Sequence, residues 1–228
     1  MGANDAWAVG GLTFHQGWLV VHWDGSLWEV AATGPCPWFL NDAWGTAEND
    51  VWAVGDEGAI LHWDGTRWSP VASGVSANLQ KVCGVAPDDI WATGDGGAAI
   101  HWDGERWSDE SGGIGFELLD LWGSGPADVW ATARDPDGTG SVMVHWDGAE
   151  WTAAGPPDPY VSLICGLAPD DVWALGSRLS HWDGAGWREE PPCPAVSHPH
   201  SLWCAPGGDL WVTGSWATAS DAVARWRP

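Results

Sequence analysis

The chain has 228 residues, of which 45% are hydrophobic and 17% are charged, so it has enough apolar material for a packed core. Acidic residues outnumber basic ones by 31 to 8, which gives a formal net charge of -23. Nucleic acid and anionic lipid bind through clustered Lys and Arg, and the bases of this chain are scattered, so neither partner is expected. No apolar run approaches the roughly 20 residues of a membrane helix, so we expect no membrane insertion.

Tryptophan repeats dominate the sequence, with 23 Trp residues against one Tyr and three Phe. The tetrapeptide His-Trp-Asp-Gly occurs five times and begins at His22, His62, His101, His145 and His181. A degraded sixth copy is Ala224-Arg225-Trp226. Upstream of each copy lies an Asp-apolar-Trp triplet, whose tryptophans are Trp7, Trp52, Trp91, Trp130, Trp173 and Trp211. This periodicity predicts six repeat units, approximately 1–34, 35–74, 75–113, 114–155, 156–192 and 193–228.

Each complete unit divides into four short extended runs, which we label strands a to d. In the second unit the runs cover 40–45, 50–55, 59–63 and 67–72, and each is bounded by Gly, Pro or Asp. Unit 1 begins at strand b, units 3 to 5 repeat the whole pattern, and unit 6 ends at strand c. The Asp-Gly between strands c and d predicts a tight type I′ hairpin turn.

No segment has a helical apolar period, so the pattern predicts an all-β chain. Units of about 40 residues with four strands are typical of propeller blades. We therefore predict a six-bladed β-propeller of four-stranded antiparallel blades, as a single domain over residues 1–228. Two alternatives are open for its ends: either the ring closes with two incomplete terminal blades, or the parent chain continues beyond these residues.

The string Asp-Val-Trp-Ala-Val-Gly at 50–55, followed by Ile-Leu-His-Trp-Asp-Gly at 60–65 and Trp68, resembles the repeat of tectonin-type proteins. It is also similar to Trp-rich propeller repeats in large secreted or surface proteins of predatory, social bacteria. Tectonin-type members are six-bladed lectins, so the resemblance implies a bacterial, extracellular or cell-surface, carbohydrate-binding protein. No signal peptide is visible at residues 1–5. His-Trp stands where tectonin repeats often carry Tyr-Arg, so no individual sugar-binding position is carried over.

Residues that break the repeat are the candidate ligand-binding residues, because repeat positions serve every blade alike. They are predicted to lie in loops, and they are His15, Trp18, Trp38, Tyr160, His198, His200 and Trp216. Exposed aromatic rings stack on sugar faces and on peptide side chains. In a closed ring unit 6 neighbours unit 1, which would bring most of these residues into one region. The alternative is that they cover the incomplete terminal blades.

Metal and cysteine patterns carry little functional signal. His198 and His200 are two residues apart and could hold Zn²⁺ or Cu²⁺, but such pairs are common without metal, so no metal or cofactor is expected. The five cysteines form no Cys-x-x-Cys pair and indicate neither a disulfide framework nor a zinc site. Cys83 and Cys165 occupy the strand-a position that holds Trp44, Trp122 and Trp203 elsewhere, which predicts buried thiols. The repeat histidines are expected to bond neighbouring groups.

Two functions remain open on the sequence. Motifs for nucleophilic hydrolysis, zinc proteolysis and phosphate binding are absent, so we expect no enzyme. The first hypothesis is a lectin-like module that binds carbohydrate through the loop aromatics. The alternative is a protein–protein interaction module or structural scaffold within a larger surface protein. The expected partner is thus a glycan or a protein, and the sequence gives no indication of oligomeric state.

Overall fold

The computed structural model describes residues 5–12, 17–35, 39–135, 137–156, 158–191, 198–216 and 219–226. Within these ranges the regular structure consists of β-strands and two 3₁₀ turns, Asp56–Gly58 and Asp95–Gly97. The strands form six antiparallel sheets, one for each sequence repeat, which we call blades 1 to 6 in chain order. The chain divides into two compact units, residues 1–118 and 119–228. The described residues include no helix long and apolar enough to cross a membrane.

The first unit holds blades 1 to 3. Blade 1 has three described strands: β1 Ala6–Gly11, β2 Trp18–Trp23 and β3 Trp28–Gly34. Blade 2 has four: β4 Leu40–Ala47, β5 Asp50–Gly55, β6 Ile60–Trp63 and β7 Trp68–Pro70. Blade 3 has four: β8 Leu79–Ala86, β9 Asp89–Gly94, β10 Ala99–Trp102 and β11 Trp107–Asp109.

The second unit holds blades 4 to 6. Blade 4 consists of β12 Leu118–Gly125, β13 Asp128–Arg134, β14 Ser141–Trp146 and β15 Trp151–Ala153. Blade 5 consists of β16 Leu163–Ala168, β17 Asp171–Leu175, β18 Leu179–Trp182 and β19 Trp187–Glu189. Blade 6 consists of β20 His198–Cys204, β21 Leu210–Trp216 and β22 Ala219–Trp226. Among the described residues, blade 1 therefore has strands b to d and blade 6 has strands a to c, as predicted.

The turn between strands c and d differs from the predicted type I′ turn. That turn needs positive φ at both central residues, but here the glycine alone has it, as at Gly65 with φ 87°. The preceding Asp64 instead accepts the backbone N–H groups of Thr66 at 2.8 Å and Arg67 at 2.9 Å on Oδ1. The same arrangement recurs at Asp103. Asp and Gly are both required, but by a longer loop that the aspartate side chain closes.

Strand b is the most buried element of the complete blades. The alanine at its centre is fully buried in four blades, as Ala53, Ala92, Ala131 and Ala174, each 0% exposed. Strands a and c cover its two edges, and the blade faces cover its side chains. The corresponding residue of blade 1, Ala8, is exposed. The difference follows from strand order, because β1 is an edge strand of its described sheet.

Strand a joins consecutive blades through a large residue and a glycine. A Cβ on Gly84 of blade 3 would lie 2.9 Å from the indole of Trp44 in blade 2, so the tryptophan packs directly on the glycine. Trp122 of blade 4 covers Gly166 of blade 5 in the same way, at 2.5 Å. An aspartate two residues before each tryptophan adds a hydrogen bond, since Asp42 accepts from the amide of Val82 at 3.0 Å. Burial raises the pKa of Asp42.

Between blades 5 and 6 a disulfide replaces this contact, which corrects the prediction of a buried thiol at Cys165. Cys165 and Cys204 are bonded, with their Cα atoms 5.7 Å apart. Cys165 stands where Trp44 and Trp122 stand, and Cys204 stands where Gly84 and Gly166 stand. Both residues are 7% exposed. Cys83 is half-buried on β8.

Candidate functional site

An Asp–His–Trp cluster recurs at the same place in five blades. Nε2 of the strand-c histidine lies 2.6 to 2.9 Å from Oδ1 of the aspartate at the start of strand b, in the pairs His22–Asp5, His62–Asp50, His101–Asp89, His145–Asp128 and His181–Asp171. The strand-b tryptophan packs on the imidazole, with ring centroids 4.1 Å apart for Trp52 and His62. This confirms that the repeat histidines bond neighbouring side chains.

Blade 6 keeps the cluster with a different base. Arg225 takes the position of the histidine and donates to Asp209. Its guanidinium carbon lies 5.8 Å from the ring centroid of Trp211. The degraded sixth repeat therefore keeps a basic side chain between an acid and an indole.

The strand-b tryptophan also joins its blade to the next one. Trp52 of blade 2 contacts two tryptophans of blade 3, Trp102 at 4.9 Å and Trp107 at 5.6 Å between centroids. Trp7 of blade 1 contacts Trp63 at 5.3 Å and Trp68 at 5.4 Å in blade 2. Most repeat tryptophans are thus part of the blade interfaces.

In blades 2 and 4, strand a carries a hydroxyl side chain that donates a further hydrogen bond to the strand-b aspartate. In blade 2, Thr46 donates to Oδ2 of Asp50, and Nε1 of Trp52 donates to Oδ1 at 3.1 Å. In blade 4, Ser124 donates to Asp128 in the same way. Burial by itself raises the pKa of Asp128, but the hydrogen bonds from His145 and Ser124 outweigh it and hold the pKa below its usual value.

Blade 1 lacks these contacts among its described residues. The Asp5 side chain is only 9% exposed, and its Oδ1 pairs with His22 at 2.6 Å. Its Oδ2 is buried without a hydrogen-bond partner in the described structure, and so is Nε1 of Trp7. Among the described residues, Oδ2 of Asp89 in blade 3 also lacks a partner, because Val85 takes the place of Thr46. There, however, β8 covers the strand.

A cleft of about 640 Å³ opens between blades 1 and 2, and Asp5 and Trp7 line it. The other residues that shape it include Asp24 on the c–d turn of blade 1 and Glu48, Asn49 and Trp63 of blade 2. Trp63 is held in place because its Nε1 donates to the carbonyl of Glu48 at 3.1 Å. The cleft therefore combines fixed indole rings with three carboxylates.

The carboxylates of the cleft give it a negative field. Asp24 accepts hydrogen bonds from Ser26 and from the amide of Leu27, which lower its pKa to about 2 and keep it ionised. The described residues that line the cleft include no Lys or Arg. An ammonium or guanidinium group fits such a place, because it pairs with carboxylates and packs on indole faces.

A smaller cavity of about 60 Å³ lies between blades 4 and 5, bordered by Asp158, Arg178, Trp187 and Glu189. Asp158 organises its wall by accepting from the amides of Tyr160 at 3.0 Å and Arg178 at 2.9 Å. Arg178 pairs with Glu189 at 2.6 Å. This cavity is too small for more than a few waters and its charges already pair with each other.

One repeat-breaking residue of the first unit, Trp18, lies within the described residues, and it does not lie in a loop. Trp18 is the first residue of β2, so its predicted loop position was wrong. It packs on Gly34, where a Cβ would lie 2.3 Å from the indole, and on the core around Val20 and Leu40. His15 and Trp38 lie outside the described residues.

In the second unit, Tyr160 lies in a turn and is 59% exposed, as expected of a surface aromatic. His198 and His200 belong to β20 and Trp216 ends β21, so their predicted loop positions were wrong too. The side chains of His198 and Trp216 lie outside the described set, and His200 is exposed. Among the described residues, no three His, Cys, Asp or Glu side chains group as metal ligands.

Sequence reasoning missed the cleft because repeat positions build it. Asp5, Trp7 and Trp63 were assigned to the scaffold, and Glu48 belongs to an ordinary turn. The available signal was the predicted strand order, because the first strand of unit 1 is strand b, and in the described structure this strand is the edge β1, which begins within the Asp-Ala-Trp triplet.

Comparison with protein-family models and with curated proteins gave no match. Comparison with solved structures identifies the chain as a β-propeller, with six blades as the sequence predicts. The structure "YCF48 bound to D1 peptide" has a TM-score of 0.73 at 16% identity, covering 100% of this chain and 77% of that one. YCF48 from Cyanidioschyzon merolae has a TM-score of 0.73 at 14% identity, covering 100% and 78%.

The WD40 repeats of RRP9 have a TM-score of 0.71 at 12% identity, covering 91% of this chain and 73% of theirs. At such identities the likeness establishes the fold alone. The tectonin-type assignment and carbohydrate binding receive no support from these neighbours.

Proposed function

We propose that this chain is a non-catalytic protein-binding β-propeller, and that the cleft between blades 1 and 2 holds a basic side chain of a partner polypeptide. The observation that carries the proposal is the cleft that Asp5, Asp24 and Glu48 line together with the indoles of Trp7 and Trp63. A cationic group that pairs with carboxylates in a partly enclosed cleft gains more than it does at the open surface, because water screens the pair less there.

The charge of the cleft favours a cation as that donor. Asp5, Asp24 and Glu48 present carboxylates, while the indoles of Trp7 and Trp63 offer flat faces. A guanidinium or ammonium group satisfies both features at once. The net charge of -23 adds long-range attraction for a basic segment, which raises the association rate at low salt.

The comparisons add weight to a polypeptide ligand. One similar propeller was solved with a bound peptide, according to its description. No described contact favours a sugar: Trp18 packs in the core, and Trp38 and the side chain of Trp216 lie outside the described set. We therefore prefer the protein-binding hypothesis to the lectin hypothesis.

A selection from a random peptide library on the immobilised chain tests this function. We expect enrichment of peptides with Lys or Arg, and binding of a selected, labelled peptide that weakens as salt rises. Asp5→Asn and Glu48→Gln should each weaken that binding by about tenfold, since each removes a charge partner. Glu105→Gln removes a charge from a c–d turn of blade 3 and should change binding less than about twofold.

Three results would contradict the proposal. One is enrichment of neutral peptides whose binding does not depend on salt. Another is equal loss in Glu48→Gln and Glu105→Gln, which would indicate a general charge effect. The third is saturable binding on a glycan array without any selected peptide, which would restore the lectin hypothesis.

A further inference from the structure

Two contacts join strand a of one blade to strand a of the next. The first is an indole on a glycine, as in the packing of Trp44 on Gly84 between blades 2 and 3. The second is a hydrogen bond to an aspartate, as in the bond that the amide of Val82 donates to Asp42 at 3.0 Å. Blades 4 and 5 have the same two contacts, in the pairs Trp122–Gly166 and Asp120–Ile164.

The junction between blades 5 and 6 carries neither of the residues that these contacts require on the first strand. Cys165 stands in the place of Trp44, and Leu163 stands in the place of Asp42. A leucine side chain accepts no hydrogen bond, and a thiol covers far less surface than an indole, which buries about 150–250 Å². The disulfide from Cys165 to Cys204 joins the two strands instead.

The other described contacts of this junction are apolar. Blade 6 contributes Leu202, Leu210 and Val212 to a buried cluster that it shares with blade 5. From blade 5, Trp173 contacts Trp226 edge-on, with ring centroids 5.2 Å apart. Once the crosslink is cut, this cluster is what keeps the described strands of the two blades together. It has to do so without the indole and the aspartate of the other junctions.

We propose that the Cys165–Cys204 disulfide is a redox-controlled clasp. The oxidised pair fixes blade 6 on blade 5, and reduction to two thiols releases blade 6 while blades 4 and 5 stay packed. The junction between blades 4 and 5 does not respond to a reductant, because its indole and aspartate contacts involve no sulfur. The inference concerns how the fold is controlled, and it does not depend on which ligand the chain binds.

A dithiol reductant supplies the two electrons for the release. One of its thiolates attacks a sulfur of the disulfide and forms a mixed disulfide, and the other cysteine leaves as a thiolate and takes up a proton. The second thiolate of the reductant then displaces the remaining cysteine. The reductant ends as a cyclic disulfide and the protein as two thiols. An oxidised dithiol reverses the exchange, so the clasp can close again.

Burial controls how fast the clasp opens. Cys165 and Cys204 are both 7% exposed, so a dithiol reaches them only when the two blades separate transiently. Reduction is therefore slow while the junction is closed. Once both thiols have formed, no bond returns the blades to register, and the strands of blade 6 exchange their amide hydrogens faster.

Hydrogen exchange followed by mass spectrometry on the full chain tests the inference. The oxidised chain is compared with the same chain after dithiothreitol, and alkylation of Cys165 and Cys204 verifies complete reduction. We expect exchange to rise by about tenfold or more in β20 and β21 of blade 6. In β12 and β13 of blade 4 it should change by less than about twofold.

Three results would overturn the inference. One is unchanged exchange in β20 and β21 after complete reduction. Another is a rise of the same size in blades 4 and 6, since the disulfide would then stabilise the whole unit rather than fix one blade. The third is exchange in blade 6 that stays fast after the dithiol is removed and the disulfide has formed again.

A serine variant separates this bond from any effect of the dithiol on the other cysteines. Cys165→Ser combined with Cys204→Ser should show the fast exchange of blade 6 without any reductant, and dithiothreitol should not raise it further. Slow exchange of blade 6 in this variant, equal to that of the oxidised wild type, would contradict the clasp.

A second variant restores the contact of the other junctions. Cys165→Trp combined with Cys204→Gly places an indole opposite a glycine, as Trp44 and Gly84 are placed between blades 2 and 3. Blade 6 should then exchange slowly both with and without dithiothreitol. Exchange as fast as in the serine variant would show that the missing indole is not what makes this junction depend on its disulfide.

Discussion

The junction between blades 1 and 2 and the junction between blades 2 and 3 are built from the same repeat and lie in the same unit. In both, a strand-b tryptophan packs on its own histidine and on two tryptophans of the next blade. Yet Trp52 is 2% exposed and its Nε1 donates to Asp50. Trp7 is half-buried and lines an open cleft, and its Nε1 is buried without a partner in the described structure.

The difference comes from strand a. In blade 2 it covers the edge of strand b, donates a hydroxyl to Asp50 and places Trp44 on Gly84. The tryptophan stack thus forms without strand a, but strand a closes the junction. The same repeat therefore yields a sealed interface at one junction and an open cleft at the other.

The largest contrast is expected for the strand-b tryptophans. Trp52→Ala removes a fully packed side chain and should lower the free energy of unfolding by about 3–5 kcal/mol. Trp7→Ala should lower it by less than about half of that, because one side of Trp7 lines the cleft. Urea unfolding of both variants measures the difference. Equal losses would show that the two junctions are packed alike.

The disulfide should be the next largest effect, at a junction of the second unit. Cys165 and Cys204 close a loop with a sequence separation of 39, and chain entropy gives such a crosslink about 4 kcal/mol. Cys204→Ser should lower the free energy of unfolding by about 2–4 kcal/mol relative to the wild type under oxidising conditions. Adding a reductant should not lower the stability of the variant further. Equal stability of the oxidised wild type and the variant would contradict this account.

Replacing a glycine with alanine should destabilise the protein more at the closed junction than at the open one. Gly84→Ala brings a Cβ within 2.9 Å of Trp44 and 2.6 Å of the carbonyl of Asp89, so we expect a loss of about 1–3 kcal/mol. Gly10→Ala on β1 meets no atom within 4 Å and should be neutral or slightly stabilising. Thermal unfolding of the pair provides the measurement, and a loss for Gly10→Ala as large as for Gly84→Ala would count against it.

The smallest effect should come from the c–d turns and should be the same at both junctions. Hydrogen bonds lower the pKa of Asp24 and Asp64 to about 2 from the ordinary 3.8, so the ionised form stabilises the fold. This stabilisation is present above about pH 4 and is lost as pH falls toward 2. Asp24→Asn and Asp64→Asn should each lower the melting temperature slightly at pH 7 and approach the wild type near pH 2. A gap that widens on acidification would contradict the turn assignment.

The fold could be predicted because its contacts repeat in the sequence. The Asp-apolar-Trp triplet and the His-Trp-Asp-Gly that follows it already encode the aspartate, indole and imidazole that meet in five blades. The sequence also contains a signal for the disulfide. Cys204 stands at a repeat position that holds glycine in four other units, as Gly45, Gly84, Gly123 and Gly166. Comparison of Cys165 with the tryptophans at its own repeat position does not reveal its partner. That partner stands at the following repeat position in the next blade.

The cleft could not be found by looking for exceptional residues. Trp18 is exceptional in sequence, yet it serves the core, whereas the ordinary repeat residues Asp5 and Trp7 line the cleft. Their exposure depends on which strand lies beside them, and that is a property of sheet order rather than of residue type.

Amide hydrogen exchange of β1 and β5 in the chain without ligand tests the central claim most directly. We predict that alternate amides of Ala6–Gly11 exchange much faster than the corresponding amides of Asp50–Gly55, because one edge of β1 is unpaired in the described structure. Uniform protection along both strands would contradict the account, since it would mean that blade 1 already has its fourth strand.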